Sequence, residues 1–148
     1  MIRTEKVSKV YGQGSVVRAL DEVTLAVESG AFVALVGPSG SGKSTLLNLL
    51  GTLDRPTSGR VVIDGVDVGT LRGKDLADFR RARVGFVFQL FNLIAVLDAL
   101  ENVMVPLVPY RRALRFDLEQ RARRLLESVG LGARLRHLPA QLSGGEQQ

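Results

Sequence analysis

Ala31-Phe32-Val33-Ala34-Leu35-Val36-Gly37-Pro38-Ser39-Gly40-Ser41-Gly42-Lys43-Ser44-Thr45 is an unbroken apolar run that empties into a glycine-rich loop. An apolar run of this length, bounded by Gly30 and Gly37, reads as a strand covered on both faces, the kind found inside parallel sheets. The loop fits the phosphate-binding pattern G-x-x-x-x-G-K-[ST]. Ser44-Thr45-Leu46-Leu47-Asn48-Leu49-Leu50 then reads as a helix closed by Gly51. Strand, glycine loop and helix in that order predict an α/β chain built round a phosphate loop.

The chemistry follows from the residue types. Glycines let the backbone wrap a phosphate closely with its amides turned inward, and a helix start adds the positive end of its dipole. Gly37, Pro38, Ser39, Gly40, Ser41 and Gly42 supply the wrap, with Gly40 an extra flexible point. Lys43 is placed to reach the β and γ phosphates, the Ser44 hydroxyl to sit on Mg²⁺, and Thr45 to reach the α phosphate. The loop alone does not separate transport ATPases from kinases or GTPases.

Leu142-Ser143-Gly144-Gly145-Glu146 makes that separation. With it the chain resembles the nucleotide-binding domain of ABC transporters, along its whole length and with motifs in the family's order. Tyr11 matches the aromatic residue that stacks on adenine. Residues 37–45 match the Walker A loop, Gln89 in Val87-Phe88-Gln89 matches the Q-loop glutamine, and residues 142–146 match the signature. The resemblance implies ATP and Mg²⁺ as cofactors, with Ser44 and Gln89 at the metal. It also implies a second ATPase subunit, identical or different, and a transmembrane permease. ATP is sandwiched between the Walker A loop of one subunit and Ser143, Gly144 and Gly145 of the other. Lys43, Gln89 and these signature residues are the expected catalytic set.

The implied fold is a P-loop NTPase of the ABC type. It has an antiparallel β subdomain (residues 1–30 and 60–68), an incomplete parallel core sheet (31–55 and 83–89) and a helical subdomain (90–148). Gly51 to Gly59, Gly85 to Leu93 and Leu100 to Val103 are similar to the lipoprotein-releasing and macrolide-exporter branch. In that branch a permease element docks after the Q-loop. Phe91, Leu93, Ile94, Val103 and Met104 are either part of that socket or simply core. The implied location is cytoplasmic, on the inner membrane face through the permease. The family's Walker B aspartate, its catalytic glutamate, the D-loop and the switch histidine all follow the signature. None of them is expected within 148 residues. Glu146 belongs to the signature and does not replace the base, so hydrolysis by this chain alone is expected to be severely slowed. Two alternatives stay open: a non-hydrolysing nucleotide-binding fragment, and a non-transport ABC-class ATPase acting on ribosomes or DNA.

Other candidates read as structural. His137, the single histidine, precedes the signature, whereas the family's switch histidine follows it. Asp64 and Asp67 read as turn residues. The net charge of +5 comes with no lysine tract and no basic run laced with aromatics, so nucleic acid is not an expected partner. The arginines of Arg121 to Arg124 fall on a helix from Asp117 to Val129. Its Leu118, Ala122, Leu125, Leu126 and Val129 mark one apolar face, with Asp117 as its cap and Gly130 as its stop. The chain has no cysteine, which excludes disulfides and thiolate metal sites. The charged start (Arg3, Glu5, Lys6) is unlike a secretory signal. Leu93 to Val108, the most apolar stretch, is broken by Asp98, Glu101, Asn102 and Pro106 and falls short of a membrane span.

The remaining segments read as strands over Ile2 to Val27 with breaks at Gly12, Gly14 and Asp21, a strand over Arg60 to Gly65, a short helix within Leu71 to Arg81, and a strand over Val84 to Phe88. The strands Ala31 to Val36 and Val84 to Phe88 would need neighbours that follow the signature. They are therefore expected to expose backbone groups and apolar faces.

Overall fold

A computed structural model describes residues 1–12 and 15–148. The expected break at Gly14 lies outside the described residues. The chain divides into two compact units, Met1–Phe86 and Val87–Gln148.

The first unit is a four-stranded antiparallel sheet in the order β2-β1-β3-β4, formed by β1 (Ile2–Tyr11), β2 (Val17–Val27), β3 (Ser58–Ile63) and β4 (Val66–Asp67). β1 lies between its partners: Ile2 faces Val27 on one side and Ile63 on the other. Asp21 does not break β2. Instead, irregularities in the β1–β2 register are absorbed at Lys6 and Glu22, both in left-handed conformation. Side chains take up the backbone groups this frees. The fully buried Thr4 hydroxyl donates to the Val23 carbonyl and accepts from Leu25 N–H, each at 3.0 Å. Ser8 Oγ accepts from Glu22 N–H, and Thr24 Oγ1 from Lys6 N–H. Asp64 and Gly65 form the β3–β4 turn, as expected of Asp64, whereas Asp67, also expected in a turn, belongs to β4.

Helix α1 (Lys43–Leu50) lays Leu46 and Leu49 into a core with Val7, Leu20, Val61, Ile63 and Val68. Helix α2 (Gly73–Arg83) adds Phe79. It is also bound to the end of α1 through Arg80, which donates to Thr52 Oγ1 at 3.1 Å and to the Thr52 carbonyl at 2.9 Å. Gly51 ends α1 with an ordinary negative φ of −77°. Its missing side chain matters for a different reason. A β-carbon there would stand 2.5 and 2.7 Å from the Phe86 ring.

Two expected strands are not strands. Ala31 to Val36 and Val84 to Phe88 join no sheet among the described residues. A parallel strand exists only through pairing with a neighbouring strand, and among the described residues neither run is paired in a sheet. Several of their apolar side chains are open, with Phe32 98% and Val36 88% exposed, while Leu35 packs on the core below α1 and Phe86 is half-buried. The expectation of exposed apolar faces therefore holds, and the expectation of strand structure does not.

The second unit is helical. Asp98 caps α3 (Ala99–Met104) through a reciprocal box with Glu101. The chain continues as a 3₁₀ stretch over Val105–Ala113, where Pro106 and Pro109 remove backbone donors. Asp117 caps α4 (Leu118–Ser128), and Gly130 follows its end at φ +82°. α4 buries Leu118, Ala122 and Leu126, but Leu125 and Val129 stay exposed, so its apolar face is narrower than the spacing implied. Ala99, Leu100, Ala122, Leu126, Leu135 and Leu142 form this unit's core.

Candidate nucleotide-binding site

The loop between Val36 and Lys43 takes its shape from glycines in left-handed backbone: Gly37 at φ +153°, Gly40 at +80° and Gly42 at +87°. Gly42 is constrained twice. It turns the chain into α1, and a β-carbon there would meet the Ala19 carbonyl of β2 at 2.5 Å. The loop therefore sits directly on the sheet, at the N-terminus of a helix anchored by Leu46 and Leu49. Among the described residues no side chain caps that terminus. Lys43 folds back over the loop, its ammonium donating to the carbonyls of Gly37 (3.0 Å) and Pro38 (2.8 Å) and to Ser41 Oγ (3.4 Å). Ser44 is exposed and Thr45 half-buried in the first turn. Residues 37–45 are thus assembled as one cradle. Ser39 lies exposed on its rim.

Tyr11 ends β1 in the same unit, partly exposed. Its hydroxyl donates to Asp54 Oδ2 at 2.9 Å, and Lys9 Nζ lies 4.8 Å from its ring centroid. Lys9 Nζ also donates to Asp54 Oδ1 and to the Arg55 carbonyl, both at 2.7 Å. Burial pushes the Asp54 carboxyl up, but the hydrogen bonds from Lys9, the Arg55 amide and Tyr11 outweigh it and hold the group below its ordinary value.

Gln89 and the signature belong to the second unit. Gln89 is exposed in a turn that follows the extended Val84 to Phe88 run. Ser143 caps the short helix α5 (Gly144–Gln147) through a reciprocal box. Its Oγ accepts from Glu146 N–H at 3.4 Å, and its own N–H donates to Glu146 Oε2 at 2.8 Å. The Ser143 hydroxyl oxygen serves the cap as an acceptor. Glu146 is held below its ordinary pKa, first by the Ser143 amide, then by the Ser143 hydroxyl and by Arg134, whose Nε donates to Oε1 at 3.2 Å. Gln147 Nε2 donates to the carbonyls of Pro139 and Leu142, fixing the approach to the signature. Ser143, Gly144 and Gly145 are all exposed.

His137 contributes only its backbone, accepting from Ala99 N–H and donating to the Arg134 carbonyl. Of the candidate socket residues, Met104 packs on the second core, Phe91 and Leu93 are half-buried, and Ile94 and Val103 are exposed. Asn102 has a structural role that its sequence does not announce. Its side-chain amide donates to the carbonyls of Ile94, Leu97 and Asp98 and accepts from Ile94 N–H, folding the segment after the Q-loop onto α3. Asp54 and Arg134 carry no local pattern because their partners lie far along the chain, on β1 and at Glu146, whereas Asn102 binds residues only a few positions before it.

Comparison with known proteins agrees with these motifs. Residues 20–148 match the model of the family described as ABC transporter. The chain belongs to the ABC transporter family. This ABC chain is 52% identical to the macrolide export ATP-binding/permease protein MacB of Hyphomonas neptunium over 149 aligned residues, all of this chain and 23% of that protein. It is 51% identical to an ABC transporter ATP-binding protein of Thermotoga maritima, covering 95% of this chain and 60% of that one. Among solved structures it resembles the ATP-binding cassette MJ0796 in a dimeric post-hydrolysis state bound to ADP and Pi. That match has a TM-score of 0.87 and 44% identity, over 99% of this chain and 65% of that one. The fold is that of an ABC ATPase cassette, and the ABC chain spans only part of each of these relatives. Among the described residues, no helix is long and apolar enough to cross a membrane.

Proposed function

We propose that the ABC chain binds MgATP and belongs to the ATP-binding subunit of an exporter or lipoprotein-releasing transporter. Such a subunit works by ATP-driven pairing with a second ATPase subunit and by hydrolysis. The observation that carries this reading is the cradle of residues 37–45, where left-handed glycines bring loop oxygens round the Lys43 ammonium at an uncapped helix start. Phosphate oxygens suit both the ammonium and the first-turn amides. Tyr11 offers an aromatic face to adenine. Mg²⁺ takes hard oxygen ligands and few protein side chains, and Ser44 Oγ and Gln89 Oε1 are each donors of that kind. When bound, the ion neutralises charge between the β and γ phosphates.

Ser143, Gly144 and Gly145 present a hydroxyl and backbone amides to the γ phosphate of the nucleotide held by the second subunit. Loss of that phosphate removes their ligand and loosens the pair, a two-state switch set by differential affinity. The subunit lies on the cytoplasmic membrane face, held there by a permease. The dimeric ADP- and Pi-bound relative and the MacB relatives support these assignments.

Equilibrium titration of the 148-residue chain with MgATP tests the reading. Lys43→Ala is expected to weaken binding at least tenfold without changing the far-ultraviolet circular dichroism. Equal affinity in the two chains would refute the cradle. Turnover in the same samples separates an active ATPase from a nucleotide-binding form without hydrolysis. Copurification with a membrane permease, rather than with nucleic acid, separates a transport role from a non-transport one.

A further inference from the structure

Lys9 and Tyr11 stand two residues apart on β1 and therefore share one face of the strand. That face meets the segment just after α1. Leu53 and Asp54 N–H both donate to the Asn48 carbonyl, at 2.8 and 3.2 Å, so the Asp54 backbone is fixed to the last turns of α1. The Asp54 carboxylate then divides its two oxygens. Oδ1 accepts from Lys9 Nζ at 2.7 Å and from Arg55 N–H at 2.7 Å, and Oδ2 accepts from the Tyr11 hydroxyl at 2.9 Å. The Lys9 ammonium lies 4.8 Å from the Tyr11 ring centroid, a cation–π distance.

We infer that Asp54 and Lys9 are positioning residues for the nucleobase: they clamp the Tyr11 ring to the far end of the helix whose first turn holds the phosphates. This rests on the reading of Tyr11 as the adenine platform. Two physical consequences follow. First, α1 rises about 12 Å over its length, so the platform and the phosphate cradle are carried by one rigid element and keep a fixed spacing. Without the clamp, an aromatic at the end of a strand would explore several rotamers. Part of the stacking energy would then be lost to ordering it. Second, the cation occupies one face of the ring, so the base is directed to the opposite face. Lys9 also draws charge from the ring, which favours stacking of an electron-rich purine.

The test compares affinities for MgATP and for magnesium tripolyphosphate, which has the phosphates but no base. The ratio of the two isolates recognition of the base. Base stacking on an aromatic is worth ~1–3 kcal/mol, so Tyr11→Ala is expected to lower the ratio about 5- to 150-fold. Tyr11→Phe keeps the ring and loses only the bond to Asp54. Asp54→Ala loses the same bond from the other side. Each is expected to lower the ratio several-fold with tripolyphosphate affinity unchanged. The double variant is expected to match Asp54→Ala alone, because that change already removes the Tyr11 bond together with those from Lys9 and Arg55 N–H.

If Tyr11→Ala lowers the ratio while Tyr11→Phe and Asp54→Ala leave it unchanged, the clamp is refuted and the platform stands. If Tyr11→Ala leaves the ratio unchanged, the platform itself is refuted and the clamp falls with it. Should Asp54→Ala fail to fold, Tyr11→Phe decides alone, because it alters a partly exposed hydroxyl. Unchanged tripolyphosphate binding reports that its phosphate cradle is intact.

Discussion

Replacing Gly51 by alanine puts two effects of opposite sign in competition. Gly51 has φ −77° and ψ 0°, a conformation open to any residue. On backbone grounds alone, alanine should stabilise the chain by ~0.4–1 kcal/mol, because it restricts the unfolded state. Packing opposes this. The new β-carbon would stand 2.5 and 2.7 Å from two Phe86 ring atoms and 3.1 Å from the Leu47 carbonyl. Ordinary carbon contacts need ~3.5–4.0 Å, so the ring must retreat by about 1 Å from a buried site. Overpacking of this kind costs ~1–3 kcal/mol. The net expectation is a destabilisation of about 0–2.6 kcal/mol, read as a lower midpoint in urea with an unchanged slope. Phe86→Leu in the Gly51→Ala background is expected to recover part of the loss, which is the coupling a double-mutant cycle detects. A Gly51→Ala chain more stable than the parent would refute the close approach of Phe86 and leave the backbone effect alone.

Asn102→Ala leaves the Ile94, Leu97 and Asp98 backbone groups without their side-chain partner. The expected cost is ~1–3 kcal/mol, with hydrogen exchange rising first in residues 94–98. Thr4→Val keeps the volume but strips both bonds from a fully buried hydroxyl in the β1–β2 irregularity. About 1–3 kcal/mol of stability should be lost, measured by urea unfolding. Asp98 titrates below its ordinary value: burial raises its pKa, but the Glu101 amide, Arg136 and the Leu100 amide together lower it further. A depressed folded pKa means that the unfolded chain binds the proton more readily. The Asp98 contribution is therefore complete above the unfolded pKa of ~3.9 and is lost as pH falls through the folded value. Asp98→Asn should flatten that part of the acid limb of stability, and an unchanged limb would show that other carboxylates set it.

Much of the candidate site's local geometry was legible because its motifs are local. The glycine pattern of residues 37–45 dictates backbone shape within a few residues, and Asp117 and Gly130 bracket α4 by capping chemistry alone. The signature, with its Ser143 cap, could be read for the same reason. What escaped depends on residues far apart in sequence. Periodicity placed Leu125 and Val129 on the apolar face of α4, but only packing partners decide burial, and these two have too few. The runs Ala31 to Val36 and Val84 to Phe88 have strand composition, yet strand structure belongs to pairs of segments and not to a single one. Asp54 sits in a turn-like sequence that gives no hint of Tyr11, because their contact closes only when β1 and the end of α1 meet on the sheet.

The strand order of the sheet also bears on how the chain emerges during synthesis. β1 and β2 are neighbours in sequence and can pair as soon as Val27 is made, but the other edge of β1 waits for β3. The phosphate loop and α1 are synthesised in the interval, which lasts a few seconds at ~5–20 residues per second. Through that time β1 is an open edge, the kind of surface that recruits foreign strands. Arg3, Glu5, Lys6 and Lys9 lie along it, and charges at those positions discourage the wrong partner until Ser58 to Ile63 arrives.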